Sequence, residues 1–224
     1  MDMNNETLIE QKILETKRYE FNDGLRDIQI GIYLMWLGVV QWMIFEPGWW
    51  RLLFNIRETT GKITMMAASF FVILIPALFA WGFLRLMETI RRRWLWRDSG
   101  MVKTSRWVMP RWATIFSGVV MLGSLGLGLL FRDALAVDEF YVWRLLFAAA
   151  GLAFAVSLVA MGAHLELKRY YFIGLIGGLV SALSLLFVFT PGLSSLLFFG
   201  VWSLLMYISG CIALVRNISV LKAS

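Results

Sequence analysis

Six long apolar runs with almost no charged residues dominate the sequence. They cover residues 28–45, 64–87, 113–131, 142–163, 171–189 and 193–215. Each run has about the 17–25 residues that a helix needs to cross the hydrocarbon core of a bilayer. Because a bilayer offers no partner to a free backbone amide, each run is expected to be helical. The sequence therefore predicts an all-α integral membrane protein, a bundle of six transmembrane helices.

The scarcity of charge supports this class. Charged residues make up 16% of the 224 residues, whereas a soluble domain has about 25%. Only Arg85 and Arg144 are charged within the runs, and both lie near an end, where a long side chain reaches the headgroups. The chain then divides into an amphipathic cytoplasmic lead-in (1–27), which includes a predicted short helix over residues 6–21, a transmembrane domain (28–215) and a cytoplasmic tail (216–224).

The distribution of lysine and arginine predicts the orientation. Sixteen of the 21 basic residues lie in or directly beside four segments: before the first run, between the second and third, between the fourth and fifth, and after the sixth. The other connections and their flanks contain five. Cytoplasmic loops carry this excess. Both termini are therefore expected in the cytoplasm, with the protein in a plasma membrane.

Several kinds of chemistry are disfavoured by the residues that the chain contains. Cys211 is the one cysteine and His164 the one histidine, which argues against a disulfide framework, a metal site or a bound cofactor. No charged residue lies near the middle of a run, where ion-coupled transporters usually need one. We therefore predict no catalytic residues, and we attribute the net charge of +6 to loops facing anionic lipid and not to nucleic-acid binding.

The loop between the second and third runs combines arginine with tryptophan. Tryptophan prefers the membrane interface and arginine pairs with phosphate, so this loop is predicted to contact anionic lipid, or the acidic face of a partner. An ordinary interfacial anchor is the favoured interpretation. The contact residues are Arg91, Arg92, Arg93, Trp94, Trp96, Arg97, Arg106 and Trp107.

An acidic cluster precedes the first run. It consists of Glu20, Asp23 and Asp27, and its expected roles are helix capping and ion pairing at the cytoplasmic surface. Residues 21–27 and 97–103 share the predicted cytoplasmic side. We therefore predict that they approach each other, with Asp23 or Asp27 near an arginine of the loop.

Small residues mark the predicted helix contacts. Gly174 and Gly178 have GxxxG spacing in the fifth run, and Gly123 and Gly128 lie in the third. Such residues let helices approach closely in lipid. The pattern predicts tight packing without deciding between contacts inside the bundle and contacts with a second copy.

Two short segments carry a resemblance. Phe-Asn-Asp-Gly-Leu-Arg-Asp-Ile (21–28), with Arg-Asp-Ser-Gly-Met-Val-Lys (97–103), resembles small uncharacterised bacterial multi-pass membrane proteins, which have an acidic DGL segment before the first helix and a glycine-containing turn after the second. Asp98 and Met101 depart from that turn. The resemblance implies a bacterial plasma-membrane protein and brings no activity with it.

Three functions agree with these observations. The first is a non-enzymatic membrane subunit or regulatory scaffold, with a membrane-protein partner or a second copy. The second is a solute-binding or transport component, and the third is a lipid-modifying enzyme at the cytoplasmic interface that uses Asp23, Asp27, His164 or Glu166. The residues that could line a pocket in the second case are Gln29, Gln41, Ser181, Ser184 and Tyr207.

Overall fold

Every regular element in the described part of the chain is a helix. The computed structural model describes residues 21–90, 93, 111–130 and 140–223. Seven α-helices and one short 3₁₀ turn account for nearly all of them. They are α1 (Leu25–Phe45), α2 (Pro47–Thr60), α3 (Lys62–Ile90), α4 (Arg111–Leu130), α5 (Tyr141–Leu165), α6 (Lys168–Leu183) with the 3₁₀ turn Ser184–Leu186, and α7 (Pro191–Ala223).

Five of these helices are long and apolar enough to cross a membrane. Within the described residues the spans are Leu25–Phe45, Trp112–Leu130, Tyr141–Leu165, Lys168–Leu186 and Pro191–Ser219. The prediction of an all-helical membrane protein is thereby confirmed. Helix α3 contains the second apolar run of the sequence, and its first part, Lys62–Phe71, is a shorter apolar helix.

The connection between α1 and α3 is helical, which the sequence analysis did not predict. Pro47 is the first residue of α2, a favourable position because proline has a helical φ and the first amide of a helix needs no partner. The Trp50 indole donates to the Ile44 carbonyl at 2.6 Å, and Leu53 is buried. Gly61, with φ 95°, separates α2 from α3.

The turn between α6 and α7 also differs from the expectation. The fifth apolar run (171–189) was expected to be helical throughout. Instead, helical structure ends at Leu186, and Pro191 begins α7. Thr190 caps that helix, since its hydroxyl accepts from Leu193 N at 3.3 Å and its carbonyl from Ser194 N at 2.8 Å. Proline therefore starts the helix here and does not break it.

Two pairs of antiparallel helices, α1 with α7 and α5 with α6, make the largest contacts in the bundle. Helices α1 and α7 make the most extensive contact, and α5 packs against α4 on one side and α6 on the other. The core lies where α5, α6 and α7 meet, around Trp202, which is fully buried and packs edge-on against Phe154 at 4.7 Å. Helix α3 contacts α1 and α2 at the margin of the bundle.

Candidate functional site

Glycines spaced seven residues apart bring α1 against α7. A Cβ atom at Gly24 would lie 2.2 Å from the Gly210 carbonyl oxygen, at Gly31 2.9 Å from the Ser203 carbonyl oxygen, and at Gly38 2.7 Å from the Phe199 Cβ. Seven residues make nearly two helical turns, so the three glycines share one face. The sequence analysis did not identify this row, because the glycine pairs it considered lie four or five residues apart.

The close approach brings polar groups of α1 and α7 together. The Ser203 hydroxyl donates to the Gly31 carbonyl at 2.6 Å, and the Asn217 amide donates to the Asn22 carbonyl at 2.9 Å. Such bonds between helices add to packing in a bilayer, where little else drives association. This pairing places the N-terminal end of α1 in the interior of the bundle.

A buried ion cluster forms at that end of α1, and we name it the Asp27 cluster (Asp27, Arg169 and Tyr170). Asp27 and Tyr170 have no exposed surface. Arg169 Nη2 lies 3.1 Å from Asp27 Oδ2, and the Tyr170 hydroxyl donates to Asp27 Oδ1. The guanidinium also lies over the Tyr170 ring, 5.3 Å from its centroid. The cluster therefore joins the start of α1 to the start of α6.

Neighbouring groups hold this end of the bundle in place. Arg169 Nη2 donates to the carbonyl of Phe21, whose ring packs edge-on against Tyr170 at 6.2 Å. Asp23 is buried, and its carboxylate accepts from Leu25 N at 2.9 Å. Gly24 has φ 78°, a conformation that favours glycine. The segment before α1 thus turns sharply and remains attached to α6.

The described partner of Asp27 is Arg169, which does not belong to the loop named in the prediction. The sequence analysis expected an arginine from residues 97–103, and those residues lie outside the described part of the chain. Arg169 follows α5, in a connection that the charge distribution had also placed on the cytoplasmic side. No sequence signal singled out this arginine, because 142 residues separate it from Asp27.

A buried cation, Arg144, lies near the N-terminal end of α5. Arg144 was expected to extend to the headgroups, yet only 4% of it is exposed. Its Nη1 donates to the carbonyls of Phe187, at 2.5 Å, and Leu185, at 3.3 Å. These carbonyls follow the end of α6, where a cation is favourable because they have lost their helical donors. Arg144 therefore replaces the missing helical hydrogen bonds.

The GxxxG residues of α6 make contacts inside the bundle. A Cβ at Gly174 would lie 2.8 Å from the Ala155 carbonyl oxygen, and one at Gly178 would lie 2.8 Å from the Ala155 Cβ. Gly128 of α4 lies against Leu145. Gly123 has open space where a Cβ would be. Tight packing within one copy thus uses three of the four predicted glycines.

The side chains suggested for a solute pocket are dispersed. Ser181 lies against Gly151 of α5, and the Ser184 hydroxyl donates to the Ser181 carbonyl at 2.6 Å. Gln29 is buried in α1, whereas Tyr207 of α7 is 47% exposed. They lie on α1, on α6 with its 3₁₀ turn, and on α7.

Of the residues suggested for catalysis, Asp23 and Asp27 are buried, His164 is half-buried and Glu166 is exposed. Glu166 ends α5 with φ 55° and is exposed, while Asp27 is engaged by Arg169 and Tyr170. The described residues contain no group of three or more His, Cys, Asp or Glu that could hold a metal ion.

Most of the predicted lipid-contact loop lies outside the described residues. Arg93 is described and exposed. Glu20 of the acidic cluster and the predicted lead-in helix up to residue 20 lie outside the described part, as do Arg91, Arg92, Trp94, Trp96, Arg97, Arg106 and Trp107.

Comparisons with known proteins identify no relative. No protein-family model, no curated protein and no solved structure matches this chain.

Proposed function

We propose that the protein is a non-enzymatic subunit or regulatory scaffold of a bacterial plasma membrane, with six spans and both termini in the cytoplasm. Helix α3 is the observation that carries this proposal. None of its described side chains is buried, whereas twelve residues of α5 are. Transmembrane helices associate through packing, so this thinly packed helix is the natural contact for a partner membrane protein or a second copy.

The exposed surface of α3 is large and apolar on several sides. Ile63 is 85% exposed and Phe79 69% exposed. The Arg85 guanidinium lies over the Trp81 ring, 5.4 Å from its centroid. If α3 only completed the fold of this bundle, one face of α3 would be buried against the other helices. Beside the contact with α1, exposed side chains occur along α3 from Ile63 to Leu86.

Helix length and charge distribution support the six-span topology. Helix α3 has 29 residues, about 43 Å at roughly 1.5 Å per residue, which exceeds the ~30 Å hydrocarbon thickness. With α3 counted, the chain crosses the membrane an even number of times. The connections that contain most of the lysine and arginine then fall on the side of the termini, in agreement with the positive-inside rule.

The use of the polar groups supports a non-enzymatic role. The buried carboxylate of Asp27 pairs with Arg169, and the buried guanidinium of Arg144 donates to carbonyls that end α6. Both groups stabilise helix ends, which is a structural use of charge. An enzyme or a polar-solute carrier would instead direct such groups toward a cavity.

Native mass spectrometry of the protein extracted together with its surrounding lipid tests the proposal. The expected result is a homo-oligomer or a stoichiometric complex with another membrane protein. A photo-crosslinking residue in place of Phe79 should then bind covalently to that partner, whereas the same residue in place of Leu122, 72% exposed on α4, should bind mainly lipid. A lone protomer with no protein adduct at Phe79 would refute the scaffold role.

A further inference from the structure

Helices α4, α5 and α6 enclose an apolar groove on the lipid-facing surface, and we name it the α4–α6 groove. Its volume is 580 Å³. Its lining side chains are all apolar, except that Trp112 has an indole nitrogen. Small residues of α5 and α6 form its floor, and the exposed Phe116 and Leu179 lie on its two sides. Small-molecule sites typically have volumes of about 300–1,000 Å³. The groove therefore has ligand-sized space between helices that otherwise pack tightly.

The groove spans only half of the membrane thickness. On α5 its lining extends from Leu152 to Ala163, about 16 Å at roughly 1.5 Å per residue, against ~30 Å for the hydrocarbon core. One acyl chain of a phospholipid occupies one leaflet and matches this length. A transmembrane helix of a partner protein would cross both leaflets and extend far beyond the groove.

Contacts between the helices show which half the groove occupies. Ser117 of α4 bonds Ser157 of α5 at 2.7 Å, and Gly162 of α5 lies against Tyr170 of α6. Ala163 is thus level with the beginnings of α4 and α6. The groove ends at the same membrane face as the Asp27 cluster, which is the cytoplasmic face in the proposed topology.

Positive charge lies at that end of the groove. Lys168 is exposed and begins α6, whose first turn has no side-chain cap, and free amides at a helix N-terminus attract anions. Lys168, Tyr171, Leu175 and Gly178 follow one face of α6 by their spacing. The exposed Glu166 lies at the same level and offsets part of the charge. A phosphate above the groove would meet Lys168 and the first amides of α6.

From these observations we infer that the α4–α6 groove binds one acyl chain of an anionic phospholipid, with the phosphate beside Lys168. The lipid is a bound component of the bundle, distinct from the lipids that exchange around it. The site is independent of the proposed scaffold role, since it lies on α4, α5 and α6 whereas the proposed partner surface lies on α3.

Filling the groove tests the acyl-chain site. The protein is placed in nanodiscs of equal parts phosphatidylglycerol and phosphatidylcholine, released in the gas phase, and its retained lipids are counted. Wild type should retain one lipid. Ala163→Phe should lose it, because Ala163 is exposed at the mouth of the groove, while Ala67→Phe, at an exposed alanine of α3, should retain it. Equal retention in both variants, or no retained lipid in wild type, would overturn the inference.

Removing the charge tests the headgroup contact. In wild type the retained lipid should be phosphatidylglycerol, and Lys168→Gln should reduce that preference about fivefold, as expected for one basic residue near a membrane surface. Lys62 is also exposed, and it begins α3 at the opposite membrane face in the proposed topology. Lys62→Gln should therefore leave the lipid preference unchanged. An unchanged preference in Lys168→Gln would exclude the proposed headgroup position. A protein dimer that Ala163→Phe dissociates would identify a second copy as the occupant.

Discussion

Asp27 has no exposed surface, so the stability of its charge depends on neighbouring protein groups. Arg169 and Tyr170 engage its two carboxylate oxygens from the start of α6. Removal of one partner from a buried pair leaves a charge without compensation, whereas removal of both can be nearly neutral. This difference between single and double substitution distinguishes a structural ion pair from a site in which the carboxylate binds a ligand or takes part in catalysis.

Arg169→Gln should lower the free energy of unfolding by about 3–5 kcal/mol, because it leaves the buried Asp27 carboxylate uncompensated. Asp27→Asn should lower it by less, because the Arg169 side chain is 20% exposed. The double variant should lose less than the sum, because neither charge then remains alone. Titration of detergent micelles with sodium dodecyl sulfate, followed by tryptophan fluorescence, measures these changes. Arg216→Gln, at an exposed arginine of α7, is the control and should have little effect. Additive losses in the double variant would contradict the pairing.

Tyr170→Phe removes only the hydroxyl that donates to Asp27 Oδ1. We expect a loss of about 1.5–3 kcal/mol, typical of a hydrogen bond to a charged group, measured in the same titration. Tyr207→Phe is the matched control because Tyr207 is 47% exposed. Equal effects from the two substitutions would show that the Tyr170 hydroxyl contributes nothing specific.

For single residues, the sequence predicted only part of the arrangement around Asp27 and Arg144. The acidic cluster was expected to cap a helix and form ion pairs at the cytoplasmic surface, whereas Asp27 is fully buried beside Arg169. The sequence could not select Arg169 among several basic residues on the same side. The burial of Arg144 was missed because the sequence does not show that α6 ends early, and only that early end creates the free carbonyls.

Among the helices, α1 and α7 show how backbone approach depends on single glycines. A side chain at Gly31 would meet the backbone of α7, since its Cβ would lie 2.9 Å from the Ser203 carbonyl oxygen and 3.2 Å from Tyr207 N. Backbone atoms of a helix cannot move aside individually. The two helices must therefore separate to accommodate any larger residue.

Gly31→Val should destabilise the protein by about 1–3 kcal/mol through overpacking. Gly118→Ala should be neutral or stabilising, because Gly118 has open space at the Cβ position and alanine is the better helix former. Both changes are measured by unfolding in mixed micelles. A Gly31→Val protein as stable as wild type would show that α1 and α7 are not in close contact.

Helix positions followed from the sequence more readily than helix contacts did. Long uncharged runs indicate where a chain crosses a bilayer, and each of the six runs contains a helix, although helical structure in the fifth run ends at Leu186. Periodicity says less about contacts here, because lipid-facing and buried faces are both apolar. Helix α2 was missed because its tryptophans and arginines resemble an interfacial loop as much as a helix.

For the whole molecule, the proposed topology makes a prediction about accessibility. In a Cys211→Ala background, Thr59→Cys in α2 should react with a membrane-impermeant maleimide in intact cells. Ser219→Cys near the end of α7 should react only after permeabilisation. Both positions are exposed, so a difference reports sidedness. Labelling of both in intact cells would refute the cytoplasmic placement of the C-terminal end of α7.

The pairing of α1 with α7 has a consequence for biosynthesis. A ribosome synthesises roughly 5–20 residues per second, so α1 waits about 7–30 s between leaving the ribosome and meeting the helix that covers its glycine row. During that time the backbone at Gly24, Gly31 and Gly38 faces lipid or a temporary companion. In a nascent chain that stops before α7, this face lacks the helix that covers it in the complete bundle.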